Sequence, residues 1–193
     1  MKRITVLTAF MLALTASVAT AYGQEHQTQS AKIQSSTPQQ TVSRDATRER
    51  VRAVLTAMGP KLNIDFRQSD KQPYNFVGVL KTGLKNADAF EIVISISATD
   101  TVHFRIFPHY SGAYINLNKA RNGTGLARQM VRFSDTNFLF WGADGSDDVF
   151  AGYNFTLESG FPEASFRVVL SSIAKLDEYV GQMRPLIDGS TAP

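Results

Sequence analysis

Two neighbouring segments of the chain alternate between apolar residues and mostly polar residues. The alternation runs from Phe90 to Ala98 and again from Val102 to Phe107. A period of two places successive side chains on opposite faces of a strand. Thr99-Asp100 lies between the segments and suits a tight turn, so the pattern predicts a β-hairpin. Pro108 cannot donate to a strand ladder and is expected to end the second strand.

A helical period marks the segment that precedes the strands. Its apolar stripe, with the spacing i, i+3, i+4 and i+7, consists of Val51, Val54, Leu55 and Met58. That spacing predicts an amphipathic helix. Ser43 or Asp45 can cap the N-terminus of this helix, and Gly59-Pro60 is expected to end it.

Several basic side chains lie mostly off this apolar stripe. They are Arg44, Arg48, Arg50 and Arg52. Either they contact an anionic surface, or they form a solvated helix face that is partly paired with Asp45 and Glu49. The second interpretation is favoured, because charged residues normally cover the exposed face of an amphipathic helix.

The helical period returns near the C-terminus and predicts a long helix. Its buried stripe consists of Phe166, Val169, Leu170, Ile173, Leu176 and Val180. Pro162 suits the first turn, where a missing N–H has no consequence, and Glu163 interacts favourably with the N-terminal dipole. Gly181 and Pro185 are expected to close the helix.

The remaining segments are divided by polar and glycine-containing turns. They predict strands at 74–80, 127–133, 138–141 and 150–157, a short helix at 114–121, and loops at 134–137 and 144–148. The order of elements predicts an α+β domain over residues 43–188, followed by a disordered tail at 189–193. We expect an antiparallel sheet of five to six strands, flanked by an N-terminal helix, a short middle helix and a long C-terminal helix.

The first 21 residues have the order of a secretory signal peptide. Lys2 and Arg3 precede a mostly apolar stretch at 4–18, and Ala19-Thr20-Ala21 is an A-x-A cleavage site. We predict cleavage after Ala21 and a periplasmic or secreted protein with no transmembrane anchor after cleavage. An uncleaved anchor is the alternative, but the apolar stretch is shorter than the ~20 residues that span a bilayer.

Composition narrows the possible partners. Residues 22–42 are rich in Gln, Ser and Thr and predict a disordered linker. Lys2 and Arg3 are two of the 20 basic residues, so 18 remain against 17 acidic residues after cleavage, a net charge of +1. Nucleic acid is therefore not an expected partner. The chain has no cysteine, which excludes disulfides and thiolate metal sites.

The chain carries no recognisable catalytic or metal-binding motif. His103 and His109 are six residues apart and are interpreted as surface histidines. The acidic loop Asp144–Asp148 could hold a cation, but it lacks the ligand order of a calcium loop, and ordinary turn chemistry explains its composition. No cofactor or metal is expected. An envelope hydrolase is a remote alternative without a G-x-S-x-G nucleophile or other convergent polar groups.

Three segments of the second half resemble the YbjN-domain family. They are the Leu117–Asn122 segment, similar to an LN-x-x-N motif, the Phe133–Phe138 strand–turn–strand step, and the Leu157–Phe161 approach to the final helix. The resemblance covers roughly residues 110–183. It implies a type III secretion chaperone-like fold and a binding or regulatory module without catalysis. Such a module would engage a protein segment or associate with a second copy of itself.

Aromatic residues outside the predicted core pattern are candidates for a binding surface. The candidate binding residues are Phe107, Tyr114 and Trp141, with Asn118 from the segment that resembles the family motif. For Trp141, burial in the core or a second layer is an alternative with at least equal support. A carrier or sensor of a small apolar ligand is the alternative function. It requires a cavity between the sheet and the long helix, lined by residues such as Phe104, Phe140, Phe155 and Phe166.

Overall fold

The computed structural model describes residues 43–99 and 101–190, which belong to one compact unit. The predicted signal peptide, the predicted linker at 22–42 and residues 191–193 lie outside the described residues. The helices are α1 (Arg44–Leu62), α2 (Gly123–Thr136), α3 (Glu163–Ser172) and α4 (Leu176–Ile187), with a single 3₁₀ turn at Ile173–Lys175. The strands are β1 (Asp65–Gln68), β2 (Asn75–Leu80), β3 (Ala89–Ile96), β4 (Thr101–Tyr110), β5 (Ala113–Tyr114), β6 (Phe140–Ala143) and β7 (Val149–Thr156).

The strands form one antiparallel sheet, in the order β1-β2-β3-β4-β7-β6, with β5 paired to β4. The predicted α+β class is confirmed. The helices cover one face of the sheet. The buried strand residues that contact the helices all lie on this face. Phe104 of β4 packs against Phe166 of α3, with ring centroids 4.7 Å apart. Trp141 of β6 packs against Phe133 of α2 and Tyr179 of α4. We call this the inner face and its opposite the outer face.

The predicted hairpin is confirmed, but its second strand continues through Pro108. Strands β3 and β4 pair from Ile96↔Val102 to Ala89↔His109. The pairing of β4 with β7 ends at Ile106↔Ala151, so no β7 residue requires an N–H from position 108. The Pro108 carbonyl still accepts the N–H of Ile115, at 3.2 Å. The prediction was wrong because proline is excluded only where a ladder needs its N–H.

The middle of the chain differs most from the prediction. The short helix predicted at 114–121 is absent: Tyr114 belongs to β5, and a single bridge at Asn116 and turns follow it. Residues 127–133 lie in α2 instead of a strand. The Asn122 side chain caps α2 by accepting the N–H of Gly125, at 2.9 Å. The buried residues of α2 are Leu126, Met130 and Phe133, an i, i+4, i+7 stripe. That helical period was overlooked because two glycines at its start suggested a break.

The C-terminal ends predicted for α1 and for the long C-terminal helix both come too early in the chain. Helix α1 continues past Gly59-Pro60 to Leu62 and ends at Asn63, which has a left-handed φ of 56°. Pro60 lies in the last turn of α1, where it removes one backbone N–H. The carbonyls of Gly59 and Pro60 still accept the N–H of the C-cap residue Asn63. The predicted long helix is interrupted by the 3₁₀ turn, and its second part continues past Gly181 and Pro185 to Ile187.

Strand β1 was not predicted, because it is four residues long and carries only one apolar side chain, Phe66. Its place in the sheet depends on Gly78 of β2. A Cβ at Gly78 would lie 2.5 Å from the Phe66 ring. Glycine therefore leaves the space that the Phe66 ring occupies beside β2.

Residues 189 and 190 are held by specific contacts, in contrast to the predicted disordered tail. The Tyr110 hydroxyl donates to the Asp188 carboxylate at 2.8 Å, and the N–H of Ser190 donates to the same carboxylate at 2.8 Å. Hydrogen bonds from Ser190 and Tyr110 and the nearby Arg184 charge lower the pKa of Asp188 to about 2. None of the helices within the described ranges is long and apolar enough to cross a membrane.

A buried carboxylate joins α4 to the loop before β3. Asp177 is 6% exposed and accepts the backbone N–H groups of Lys85, Asn86 and Ala87, at 2.8 to 3.0 Å. The side-chain amide of Asn86 also donates to the Asp177 carboxylate. A Cβ at Gly181 would lie 2.9 Å from the Asn86 side chain, so the helix approaches the loop closely.

We predict that Asp177→Ala destabilises the protein on the order of 3 kcal/mol, because three backbone donors lose their acceptor in a poorly solvated place. Urea unfolding of the wild type and the variant measures the change. Glu178→Ala is the matched control: Glu178 is the exposed neighbour on the same helix, and we expect a change within about 0.5 kcal/mol. Equal unfolding midpoints for Asp177→Ala and wild type would contradict the role assigned to Asp177.

Candidate functional site

Two of the predicted binding residues, Phe107 and Tyr114, lie together on the outer face. Their ring centroids are 5.7 Å apart. Pairing of β5 with β4 brings Tyr114 opposite His109, whose ring centroid lies 4.3 Å from that of Tyr114. Phe150 of β7 extends the group, 5.7 Å from Phe107. The expected clustering of aromatic residues is therefore present at these positions.

Trp141 is part of the core and not of a binding surface. It is 7% exposed and contacts Phe133 and Tyr179 on the inner face. Its backbone N–H donates to the Ser134 hydroxyl, at 2.8 Å, which ties β6 to α2. The proposal of Trp141 as a partner contact was wrong, because the β6–β7 register places it opposite Ala151 and beneath the helices.

Asn118 and the acidic loop bind each other. The Asn118 amide donates to the Asp147 carboxylate, and the neighbouring Asn116 amide donates to the Ser146 carbonyl and the Asp148 carboxylate, both at 2.8 Å. The Asp144 carboxylate accepts N–H groups from within the loop. Among the residues that the structure describes, no group of three His, Asp or Glu side chains is placed to hold a metal ion. These contacts give Asn118 a structural role.

A polar cluster lies beside the aromatic residues of the outer face. The Tyr114 hydroxyl donates to the Glu91 carboxylate at 2.7 Å, and His109 Nε2 is 3.8 Å from the same carboxylate. Partial burial, the bond to Glu91 and the charges of Glu91, Asp148 and Asp144 raise the pKa of Tyr114 to about 12. A phenol held in its neutral form is a poor base, so Tyr114 acts here as a hydrogen-bond donor.

The remaining polar candidates have partners within the chain. His103 bonds the side chain of Asn154 at 2.8 Å on the outer face. The Arg44 guanidinium donates to the Ile96 carbonyl and lies 3.6 Å from the centroid of the Tyr74 ring. Arg48 pairs with Asp45 at 3.0 Å, and Arg52 pairs with Glu49. Most of the arginine side chains of α1 are thus engaged in contacts within the domain.

A groove of about 570 Å³ lies on the helical side of the domain. It is lined by Thr136, Asn137, Phe138, Leu139, Arg167, Val168, Ser171, Ser172, Lys175, Leu176, Glu178 and Tyr179. Phe138 is 50% exposed and Val168 is 58% exposed, so two large apolar side chains face solvent in the same groove. The Asn137 amide donates to the Tyr179 hydroxyl at 3.0 Å and joins the two walls.

Sequence reasoning missed this groove. Val168 carried a signal, because it is an apolar residue of α3 that lies off the buried stripe of Phe166, Val169 and Leu170. Phe138 was assigned to a strand, whereas it lies in the loop between α2 and β6. Their approach depends on how α3 packs beside that loop, which no local pattern reveals.

The expected apolar ligand cavity is absent at the four phenylalanines that were proposed to line it. Phe104, Phe155 and Phe166 contact one another, with ring centroids 4.7 to 5.8 Å apart, and so fill the space between them. Phe140 lies on the outer face, where its ring covers Gly152. The prediction failed because β6 pairs with β7 in a register that places Phe140 opposite Gly152.

Comparison with known proteins gives little further information. No family model matches the chain, and none of the curated proteins matches it. One solved structure, described as the crystal structure of the ExsC–ExsE complex, is similar over 74% of this chain and 98% of that chain, with 14% identity and a TM-score of 0.42. A likeness at this level says nothing about function.

We predict that Tyr114 titrates later than an ordinary tyrosine. Its raised pKa favours the neutral form, so its contribution to stability is complete below about pH 10 and is lost as the pH rises through about 12. Tyrosine ¹³Cζ NMR measures this, with Tyr114→Phe to assign the signal. Glu91→Gln removes the charge but not the burial, so the pKa should fall only part of the way to 10. An unchanged titration in Glu91→Gln would contradict the contact.

Proposed function

We propose that this protein is a non-catalytic binding module that holds a short polypeptide segment in the groove between the α2–β6 loop and helices α3 and α4. The observation that carries the proposal is the exposure of Phe138 and Val168 in one concave surface. Exposed apolar side chains that gather in a groove are typical of sites for protein partners.

The shape of the groove supports a polypeptide over a small ligand. A site for a small molecule encloses most of the ligand surface, whereas this groove leaves the side chains of Phe138 and Val168 at least half open to solvent. A segment laid along the surface can cover Phe138 and Val168 without being enclosed. The alternative of an apolar carrier has less support, because the phenylalanines proposed for its cavity pack against one another or lie on the outer face.

The rim of the groove defines the chemistry of the segment. Arg167 and Lys175 are basic, and Arg167 pairs with Glu163 at 2.7 Å, while Glu178 adds an acidic group. Opposite charges on one rim favour a segment with mixed polar residues around one or two apolar anchors. The Ser171 and Ser172 hydroxyls and the Asn137 side chain add polar groups along the same rim.

The proposed place of action is the periplasm or the cell exterior. Its support is the leader pattern of Lys2 and Arg3, an apolar stretch and Ala19-Thr20-Ala21. The resemblance to YbjN-domain proteins agrees with a binding role but stays a prediction. Against an envelope hydrolase, the described residues that line the groove include no histidine.

The test uses peptides selected from a random library on the mature protein. Their affinity is then measured by fluorescence polarisation for the wild type, Val168→Asp and Val131→Asp. Val131 is the matched control, because it is 71% exposed on α2 and lies outside the groove. We expect Val168→Asp to weaken binding by about tenfold or more, since it places a charge among apolar contacts.

Val131→Asp is expected to bind the same peptides within about twofold of the wild type. Both variants should unfold at the wild-type urea midpoint, because each replaced side chain is more than half exposed. Selected peptides that bind all three proteins equally would refute the groove as the binding site, and a library without any binder would refute the function.

A further inference from the structure

The outer face of the sheet carries its charges in two neighbouring rows that run across the strands. Cross-strand pairing defines each row. The first, which we call the arginine row, contains Arg67, Val77, Val93 and Arg105 on β1, β2, β3 and β4. The second, which we call the acid row, contains Asp65, Val79, Glu91 and Phe107 on the same strands. Each residue of one row is two positions from a residue of the other row on the same strand.

No helix covers these rows, because the helices pack on the inner face. Arg67, Arg105 and Asp65 are exposed, and the three valines are only half buried. Within residues 43–99 and 101–190, these three charged side chains make no ion pair. The Arg105 guanidinium lies 4.8 Å from the centroid of the Phe150 ring, which leaves its charge facing outward. The face is therefore apolar along its middle and carries charges without ionic partners.

We propose that the occupant of the outer face is a second copy of this chain, packed face to face about a two-fold axis that runs between the two rows. Rotation about such an axis turns the second sheet over and exchanges the rows. Arg67 of each copy then faces Asp65 of the other. Arg105 of each copy faces Phe107 and lies one strand from Glu91. In the middle, Val77 of each copy faces Val79 of the other, and Val93 faces Glu91.

The charge pattern selects this axis over a two-fold axis parallel to the strands. With that axis between β2 and β3, Arg67 of each copy would face Arg105 of the other, and no carboxylate would face an arginine. Like charges in contact across an interface are unfavourable. The self-complementary arrangement is the reason for choosing a second copy rather than an unrelated partner of one charge sign.

The size of the face sets the expected strength of association. Six strands spaced ~4.8 Å apart and eight residues rising ~3.3 Å each give a face on the order of 600 Å². A standard interface buries about 800 Å² on each partner. We therefore expect a reversible dimer that dissociates on dilution, weakened by salt because its opposed charges lie near solvent.

The test is sedimentation velocity of the mature chain over a concentration series. Arg67→Glu and Asp65→Arg should each weaken self-association by about tenfold or more, because each replaces two attractive contacts per dimer by repulsive ones. An equimolar mixture of the two variants should form a heterodimer, since one carries acids and the other bases at both positions. Arg50→Glu is the matched control: Arg50 is exposed on α1, away from the sheet, and should leave association unchanged.

Three results would overturn the proposal: a wild type that stays monomeric at the highest concentration, a dimer that both reversals leave intact, or a mixture of the two variants that stays monomeric. Circular dichroism checks that the variants are folded. The inference does not rest on the groove. Peptide binding measured with monomeric Arg67→Glu shows whether the proposed function holds when the dimer fails. Sedimentation velocity of Val168→Asp shows whether the dimer forms when peptide binding fails.

Discussion

Burial of one face of the antiparallel sheet is the constraint on which the rest of this structure depends. The inner residues of β3 and β4, among them Ile92, Ile94, Phe104 and Ile106, are fully buried. A single sheet cannot bury that face alone, so the helices must cover it. This requirement explains why α1, α3, α4 and α2 all lie on one side, and why the apolar stripe of each helix faces the strands.

The connections between the two layers are secured by buried polar groups. Asp177 gathers three backbone N–H groups of the loop before β3, and Asn116 binds the loop before β7. Each compensates backbone groups that would otherwise lose water without gaining a partner. These two side chains hold loops that the hydrophobic layer does not reach. Both loops lie at the same end of the strands, where β3 and β7 begin beside the C-terminal end of β4.

One-sided burial also leaves two surfaces available for partners. The outer face keeps half-buried valines, aromatic rings and charges in alternate rows, and the inner layer opens into the groove where α3 passes the α2–β6 loop. The two surfaces lie on opposite layers of the domain. The two proposed contacts, a segment in the groove and a second copy on the sheet face, are compatible, because neither covers the other.

The sequence alone determined the hairpin of β3 and β4, the amphipathic α1 and the C-terminal helices, since strict periods of two or 3.6 residues depend on local burial. It also indicated Phe107 and Tyr114, which pairing of β5 with β4 brings together. Only the tertiary structure decided that Pro108 continues a strand, that 127–133 belongs to α2, that Trp141 is core, and that Asn118 holds a loop. In each case the outcome depends on a partner distant in sequence: where β7 stops pairing, which face of β6 meets the helices, and which loop approaches Asn118. Such contacts leave no period in the sequence, and the groove at Val168 and Phe138 arises from them.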